Sequence, residues 1–212
     1  MAILCGDDMK YAWTDLETTG LDPKKGDILE VYVRVTDAHD LKEIDAFHAY
    51  VDVGCALDEV YLEKLNDFVR AMHTSNGLID DLRQARQAGE AKNKVQLLDD
   101  LTSFLHKHNE GNPKNLYLAG NNVKFDYAWL EEKVGAVLQE VHYRTVDVSS
   151  TRVQLAGLTG EDWAYTKNGT HRAAADIDES IAEYKWLWKT FGDWCRKTRT
   201  SPEVDVWKLP CE

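Results

Sequence analysis

Two acidic residues separated by a single leucine lie near the start of this 212-residue chain. The apolar segment Lys10 to Leu16 is predicted to be a β-strand, and Asp15 and Glu17 fall at its end. Side chains two positions apart in a strand share a face, so both carboxylates would project together. Such a pair is repulsive unless a cation lies between the two, and Mg²⁺ and Mn²⁺ prefer oxygen ligands. An isolated pair is more often merely solvated, so a metal site requires further ligands.

A third acid, Asp126, follows a second apolar strand, residues 115–120, and the polar turn Asn121–Asn122. Ligands in α/β folds gather where such strands end. An aspartate in the first turn of a helix also interacts favourably with the helix dipole. Taken alone, Asp126 therefore has an ordinary structural explanation.

His171 and Asp176 are five residues apart, which corresponds to about 140° around a regular helix. Both can face one site only if His171 precedes the helix or lies in its first turn and Asp176 lies inside it. The loop-like residues 166–169 before His171 permit this arrangement. A lone histidine is more often a structural hydrogen-bonding group than a catalyst.

The elements that must position these groups follow from the hydrophobic pattern. Residues 28–36 and 44–53 continue the first strand as an antiparallel meander, and a helical region begins near residue 58, breaks near Asn76–Gly77 and resumes at residue 94. The remaining predicted elements are a helix over 125–134, a short strand over 142–148, a helix capped by Ser149 or Ser150, and an amphipathic helix over 173–190. This order predicts an α/β fold with a mixed sheet covered by helices.

Composition and charge narrow the class of protein. The chain is 43% hydrophobic, enough for one core, and has no apolar run near the roughly 18–20 residues that cross a bilayer. The first ten residues lack the pattern of a secretory signal. The four cysteines form no CxxC pair, which favours a reduced cytoplasmic compartment; they are Cys5, Cys55, Cys195 and Cys211. The formal net charge of −12 disfavours a grip on a long polyanion but tolerates a substrate with few phosphates.

Together and in this order, the motifs are similar to those of a known family. WTDLETTGLD, GNNVKFD and THRAAADIDESIAE resemble the three motifs of the DEDDh 3′→5′ exonucleases, over roughly residues 10 to 190. Met72 to Asp81, His142 to Ser150 and His171 to Glu183 resemble segments of oligoribonucleases in particular. The resemblance implies a ribonuclease-H-like fold with a five-stranded sheet, in a single domain over residues 1–195. Residues 196–212 would form a C-terminal extension without a counterpart.

The resemblance also implies roles for individual residues. Asp15, Glu17, Asp126 and Asp176 would hold two divalent cations, Mg²⁺ or Mn²⁺, and His171 would be the general base for the attacking water. Leu21 and Phe68 would bracket the terminal bases of a short single-stranded RNA. His73 and Asn122 would contact the substrate backbone, and Arg144, Ser149 and Thr151 its 5′ phosphate. Family members are homodimers, in which Tyr143 and Arg144 would reach the site of the partner.

Some positions depart from the pattern and keep alternatives open. Asn122 stands where oligoribonucleases typically have serine, and Phe68 where they usually have tryptophan. A DNA-directed exonuclease with a proofreading or repair role would use the same chemistry. A catalytically silent binding subunit is expected to lack at least one of the four acids or the histidine, and all five are present.

Overall fold

The computed structural model describes residues 9–54, 59–166 and 171–199, and these residues form an α/β fold around one mixed sheet. The sheet has the order β3-β2-β1-β4-β5. Its strands are β1 (Lys10–Thr18), β2 (Ile28–Asp37), β3 (Glu43–Tyr50), β4 (Leu116–Gly120) and β5 (Val146–Asp147). The first three strands pair antiparallel, whereas β4 pairs parallel with β1 and with β5. This topology confirms the predicted meander joined to parallel strands.

Helices cover both faces of the sheet. They are α1 (Glu59–Leu62), α2 (Asp67–Ser75), α3 (Leu78–Ala88), α4 (Lys94–Asn109), α5 (Val123–Val134), α6 (Val148–Thr159) and α7 (Ala173–Arg199), with 3-10 turns at Pro113–Asn115 and Gly135–Glu140. The predicted break at Asn76–Gly77 separates α2 from α3, and Gly77 has a φ of 81°, a conformation that glycine adopts without strain. The expectation that the helix resumes only at residue 94 is wrong, because α3 begins directly after the break, at Leu78. None of the helices in the described part of the chain combines the length and apolar character needed to cross a bilayer.

Alternating side chains of β1 belong to two different cores. Ala12 and Leu16 pack with residues of α4 and α5 on one face of the sheet. Tyr11 and Trp13 pack with α6 and α7 on the other face, where Trp13 Nε1 donates to Thr36 Oγ1 at 3.0 Å. Because side chains alternate along a strand, Asp15 and Glu17 belong to the face covered by α7. The strand therefore directs both acids towards the helix that carries Asp176.

The structure corrects two predictions at the start of α6. The strand expected over residues 142–148 is limited to Val146–Asp147, because the backbone N–H of Arg144 donates to His142 Nδ1 at 2.9 Å and turns the chain. The cap of α6 is Asp147 rather than Ser149 or Ser150, since its Oδ1 accepts from the backbone N–H of Ser150 at 2.7 Å. A carboxylate at this position also suits the positive end of the helix dipole.

The last helix is longer than predicted. Helix α7 runs unbroken from Ala173 to Arg199, so the boundary expected between residues 195 and 196 falls inside a regular element. The rest of the predicted extension, residues 200–212, lies outside the described residues. The division of the chain into a domain and an extension stays a prediction.

Candidate active site

Three carboxylates converge at the end of β1. One oxygen each from Asp15, Glu17 and Asp176 lies within 4.8 Å of the other two, and we refer to these residues as the carboxylate cluster. Asp176 lies in the first turn of α7, and its backbone N–H donates to the carbonyl of Arg172 at 3.0 Å. Glu17 is buried, while Asp15 and Asp176 are half-buried. The acid pair and the distant aspartate of the third motif therefore do meet.

Asp126 approaches the same strand end from the opposite face of the sheet. Pairing of β4 with β1 ends at Ala119, opposite Trp13, which leaves the later backbone groups of β1 without a neighbouring strand on that side. Asp126 Oδ1 accepts from one of these donors, the backbone N–H of Leu16, at 3.0 Å, in place of a carbonyl from a neighbouring strand. Asp126 is 4% exposed, on the inward stripe of α5 that also includes Val123 and Leu130.

Burial and mutual repulsion make this group of acids hold protons tightly in the absence of a cation. Burial raises the pKa of Glu17 to about 8, and repulsion from Asp176 and Glu30 adds to the shift. Burial also raises the pKa of Asp126 to about 8. The pKa of Asp15 lies well above its usual range because of burial and the nearby charges of Asp126, Glu17 and Asp176. Such an arrangement favours any ligand that brings positive charge.

A fifth acid, Glu30, borders the cluster. It lies directly opposite Glu17 in the β1–β2 ladder, and its Oε1 accepts from His48 Nε2 at 2.8 Å and Arg172 Nη2 at 3.3 Å. Burial alone would raise the pKa of Glu30, but hydrogen bonds from His48 and Arg172 outweigh it and lower that pKa. Glu30 is therefore a fixed negative charge that already has cationic and polar partners.

The two histidines near the cluster differ in their surroundings. His171 is exposed in the loop before α7, with a left-handed φ of 50°, so it precedes the helix that contains Asp176. His73 is fully buried, its Nε2 donates to the Thr18 carbonyl at 2.9 Å, and its Nδ1 lies 3.9 Å from Glu17 Oε2. Burial lowers the pKa of His73 and keeps the ring neutral. His73 is expected to touch the substrate backbone, and the structure places its ring in the interior beside Glu17, with Nδ1 beyond hydrogen-bonding distance of that carboxylate.

An apolar cleft opens beside Glu17. The cleft has a volume of about 400 Å³, and its lining includes both residues expected to bracket bases, Leu21 and Phe68. These side chains are 86% and 68% exposed, so the cleft offers unfilled apolar surface. Val69, Met72 and Phe125 complete this surface, which would suit the flat faces of nucleobases.

The other residues expected to contact substrate lie around the start of α6. Tyr143 is 73% exposed, and the guanidinium carbon of Arg144 lies 4.5 Å from the centre of its ring. The hydroxyls of Ser149 and Thr151 donate to Oδ1 and to the carbonyl of Asp147, at 2.6 Å and 2.9 Å. Asp147 Oδ2 also accepts from the backbone N–H of Val123 at 2.8 Å, which ties this segment to the helix that carries Asp126.

Asn122 is exposed at the turn between β4 and α5, one helical turn before Asp126, and has a φ of 61°. Its side chain makes no capping hydrogen bond to the helix. The exposed amide is therefore accessible to a ligand.

Sequence reasoning missed several residues around the cluster. In the sequence Glu30 is an ordinary strand residue, and only the register of the β1–β2 hairpin shows that it lies opposite Glu17. Phe125 immediately precedes Asp126, so its place in the cleft follows once α5 is known to turn Asp126 inward. Arg172 directly follows His171, and this adjacency was the available signal for a residue that supports the loop.

The donor set fits hard divalent cations. The cluster presents only carboxylate oxygens, which Mg²⁺ and Mn²⁺ prefer over nitrogen or sulfur ligands. Three acids brought this close without a cation carry an electrostatic cost that a bound cation would remove. An exposed imidazole and an apolar cleft next to such a site are the parts required for cation-assisted hydrolysis of a phosphodiester.

Comparison with known proteins agrees with this chemistry. The exonuclease family model named RNase_T matches residues 12–184, most of the chain. The oligoribonuclease of Corynebacterium glutamicum is 34% identical over 194 residues, which are 90% of this chain and 83% of that protein. The oligoribonuclease of Pasteurella multocida is 33% identical over 190 residues, with 87% and 95% coverage, and a probable oligoribonuclease of Schizosaccharomyces pombe is 32% identical, with 83% and 67%.

Solved structures share the fold at low sequence identity. Exonuclease I of Methylocaldum szegediense superposes with a TM-score of 0.62 at 12% identity, over 90% of this chain and 43% of that one. The nuclease domain of 3′hExo, a DEDDh family member, gives 0.51 at 17% identity, over 92% and 96%. The matched family model, the oligoribonuclease relatives and the shared fold lead to one conclusion: this chain is a member of the exonuclease family and of its oligoribonuclease branch.

Proposed function

We propose that this protein is a metal-dependent 3′→5′ exoribonuclease that hydrolyses short oligoribonucleotides, down to dinucleotides, to 5′-mononucleotides. The observation that carries the proposal is the convergence of Asp15, Glu17 and Asp176, together with the apolar cleft that Glu17 also lines. Relatives that span most of the chain are named oligoribonucleases, which supports RNA as the substrate.

In this proposal Asp15, Glu17, Asp126 and Asp176 hold two divalent cations, Mg²⁺ or Mn²⁺. Cations bound in this way supply Lewis acidity and lower the pKa of water. His171 takes the proton of the attacking water, because an imidazole nitrogen can accept a proton and this side chain is open to solvent. The buried His73 lies beside Glu17 and takes no part in proton transfer.

The cleft beside Glu17 would hold the terminal bases of the substrate between Leu21 and Phe68. Stacking on Phe68 tolerates any base, as an enzyme that finishes RNA decay requires. Arg144, with Ser149 and Thr151, would hold the 5′ phosphate, and the exposed Asn122 would contact the backbone. A guanidinium offers paired donors to a phosphate, which makes Arg144 the principal anchor.

The preference for short RNA follows from charge. With a net charge of −12, the protein repels a long polyanion, whereas two to five nucleotides bring few phosphates. A phosphate anchor at the 5′ end would further limit the length that fits between Arg144 and the carboxylate cluster.

The direct test uses 5′-labelled RNA of two to ten nucleotides with Mn²⁺, together with DNA of equal lengths. The expected result is a rate that is highest for dinucleotides and lower for DNA. Asp15→Asn is the inactive control, and Asp99→Asn, which alters an exposed acid of α4, is the matched control that keeps full activity. Faster trimming of long DNA would replace this proposal with a DNA-directed exonuclease, and no cleavage of any substrate would reject the catalytic role.

Two further parts of the proposal concern assembly and location. The protein is proposed to be a cytoplasmic homodimer in which the exposed Tyr143 and its stacked Arg144 face the partner subunit. Light scattering of the purified protein gives the mass directly. A monomer that retains full dinucleotide activity would reject the dimeric site.

A further inference from the structure

The loop that carries His171 needs support from outside its own backbone. His171 has a φ of 50°, and helix α7 begins two residues later. A residue with this left-handed backbone conformation is not part of a helix or strand, so regular backbone hydrogen bonds do not fix it. The direction of its side chain therefore depends on contacts with neighbouring groups. A general base must be held within hydrogen-bonding reach of the proton that it abstracts.

Arg172 connects this loop to three other elements. Its Nη1 lies 2.8 Å from Asp81 Oδ2 in α3, and its Nη2 donates to Tyr50 Oη in β3 at 3.1 Å. Nη2 also donates to Glu30 Oε1 in β2 at 3.3 Å. The side chain is only 26% exposed, so these ion pairs are partly shielded from water. The rigid planar guanidinium reaches all three partners at once.

Asn76 holds the same loop from the turn between α2 and α3. Its side-chain amide donates to the backbone carbonyl of His171, and its own carbonyl accepts from Arg172 Nη1 at 3.3 Å. Asn76 Oδ1 in addition accepts from the backbone N–H of Leu78 at 3.1 Å, which fixes the orientation of the amide. Asn76, at a turn of the sequence without an assigned role, thus contacts both His171 and Arg172.

We propose that Arg172 and Asn76 form a clamp that positions the imidazole of His171 for proton transfer. The clamp rests on the proposed function, in which His171 is the general base. Arg172 and Asn76 are positioning residues, because they act through His171 and neither belongs to the carboxylate cluster.

Two other roles for Arg172 make different predictions. If Arg172 only balanced the charge of Glu30 beside the cluster, Arg172→Lys would retain activity and Asn76→Ala would have no effect. If Arg172 only stabilised the fold, Arg34→Gln would have a similar effect, because Arg34 likewise joins β2 to α7 through Asp178 and is 15% exposed. Arg34→Gln is therefore the matched control.

The kinetic test measures kcat and KM on a dinucleotide for Arg172→Gln, Arg172→Lys and Asn76→Ala. Displacement of the base is expected to lower kcat about 10- to 100-fold in both Arg172 variants, with KM unchanged. Loss of one hydrogen bond in Asn76→Ala is expected to lower kcat about 3- to 10-fold. Arg34→Gln is expected to keep the wild-type kcat. Wild-type kcat in Asn76→Ala, or full activity in Arg172→Lys, overturns the clamp.

A double-mutant cycle separates positioning from an independent effect. Once His171 is replaced by alanine, the clamp has nothing to position, so His171→Ala/Arg172→Gln is expected to be as slow as His171→Ala alone. If the fold-losses in kcat of the two single variants multiply in the double mutant, the proposal is wrong.

Hydrogen exchange tests the clamp without activity. Amides of residues 171–176 are expected to exchange faster in Arg172→Gln and Asn76→Ala than in the wild type or Arg34→Gln. Unchanged exchange in both variants overturns the clamp even if the enzyme cuts RNA. Faster exchange in a protein that cuts no substrate supports the clamp while the proposed function fails.

Discussion

Replacement of Asp126 by asparagine measures how much the buried carboxylate lowers the free energy of unfolding. Asparagine has nearly the same shape, and its carbonyl oxygen can accept the backbone N–H of Leu16 as Asp126 Oδ1 does. The change therefore removes the ionisable group and keeps the contact that joins α5 to β1. We expect the metal-free variant to be more stable than the wild type at pH 8, although it is inactive.

The sign and size follow from the pKa of Asp126, which burial raises from 3.8 to about 8. In metal-free protein the folded state holds this proton up to about pH 8, whereas the unfolded chain loses it near pH 4, so stability falls as pH rises between these values. At about 1.4 kcal/mol per pH unit the full shift corresponds to roughly 6 kcal/mol. Structural relaxation and water entry on ionisation reduce this destabilisation to about 2 kcal/mol. For a chain of this length, that corresponds to about 4–8 °C in Tm.

Thermal unfolding followed by circular dichroism, in EDTA and in Mn²⁺ at pH 5 and pH 8, checks this expectation. In EDTA the variant should unfold about 4–8 °C above the wild type at pH 8, and the gap should narrow at pH 5. Mn²⁺ should raise the Tm of the wild type far more than that of the variant. Distant groups that titrate in both proteins cancel in the difference, and relief of the repulsion between Asp126 and Asp15 acts in the same direction at pH 8. Equal Tm values in EDTA at pH 8 would refute the reasoning that Asp126 is a costly buried charge.

Three further predictions concern the remaining site residues. His171→Ala is expected to lower kcat by about 10²–10⁴ while Mn²⁺ binding measured by calorimetry persists, because the imidazole moves a proton and holds no cation; a loss of Mn²⁺ affinity would instead make it a ligand. Asp176→Asn is expected to abolish both Mn²⁺ binding and turnover with an unchanged circular dichroism spectrum, and retained turnover would exclude it from the site. Phe68→Ala is expected to raise KM about 5- to 100-fold through lost base stacking, whereas Phe68→Trp keeps it low; a KM that is insensitive to both changes would remove Phe68 from the cleft.

Local pattern was sufficient to predict the sheet and the main helices. The apolar runs that became β1, β2 and β4 are buried on both faces, and such strands stand out by composition. The start of α7 at Ala173 and the break at Asn76–Gly77 follow from signals within a few residues. The acids of the cluster were predicted to converge because their order in the chain resembles that of a family.

Groups that depend on long-range packing could not be predicted. The role of Glu30 depends on the register of the β1–β2 ladder, and the burial of His73 depends on how α2 packs against β1. The cap of α6 was missed because Asp147 competes with two adjacent serines, and its second hydrogen bond to Val123 reaches across 24 residues. A sequence window contains no information on partners at such distances.

The hydrogen bond between Leu16 and Asp126 spans 110 residues, and the third acid of the cluster comes later still, at residue 176. An emerging polypeptide therefore has no means of cutting RNA until nearly all of the described chain has been synthesised. Fragments that end before α7 should be inert however well their early strands pair.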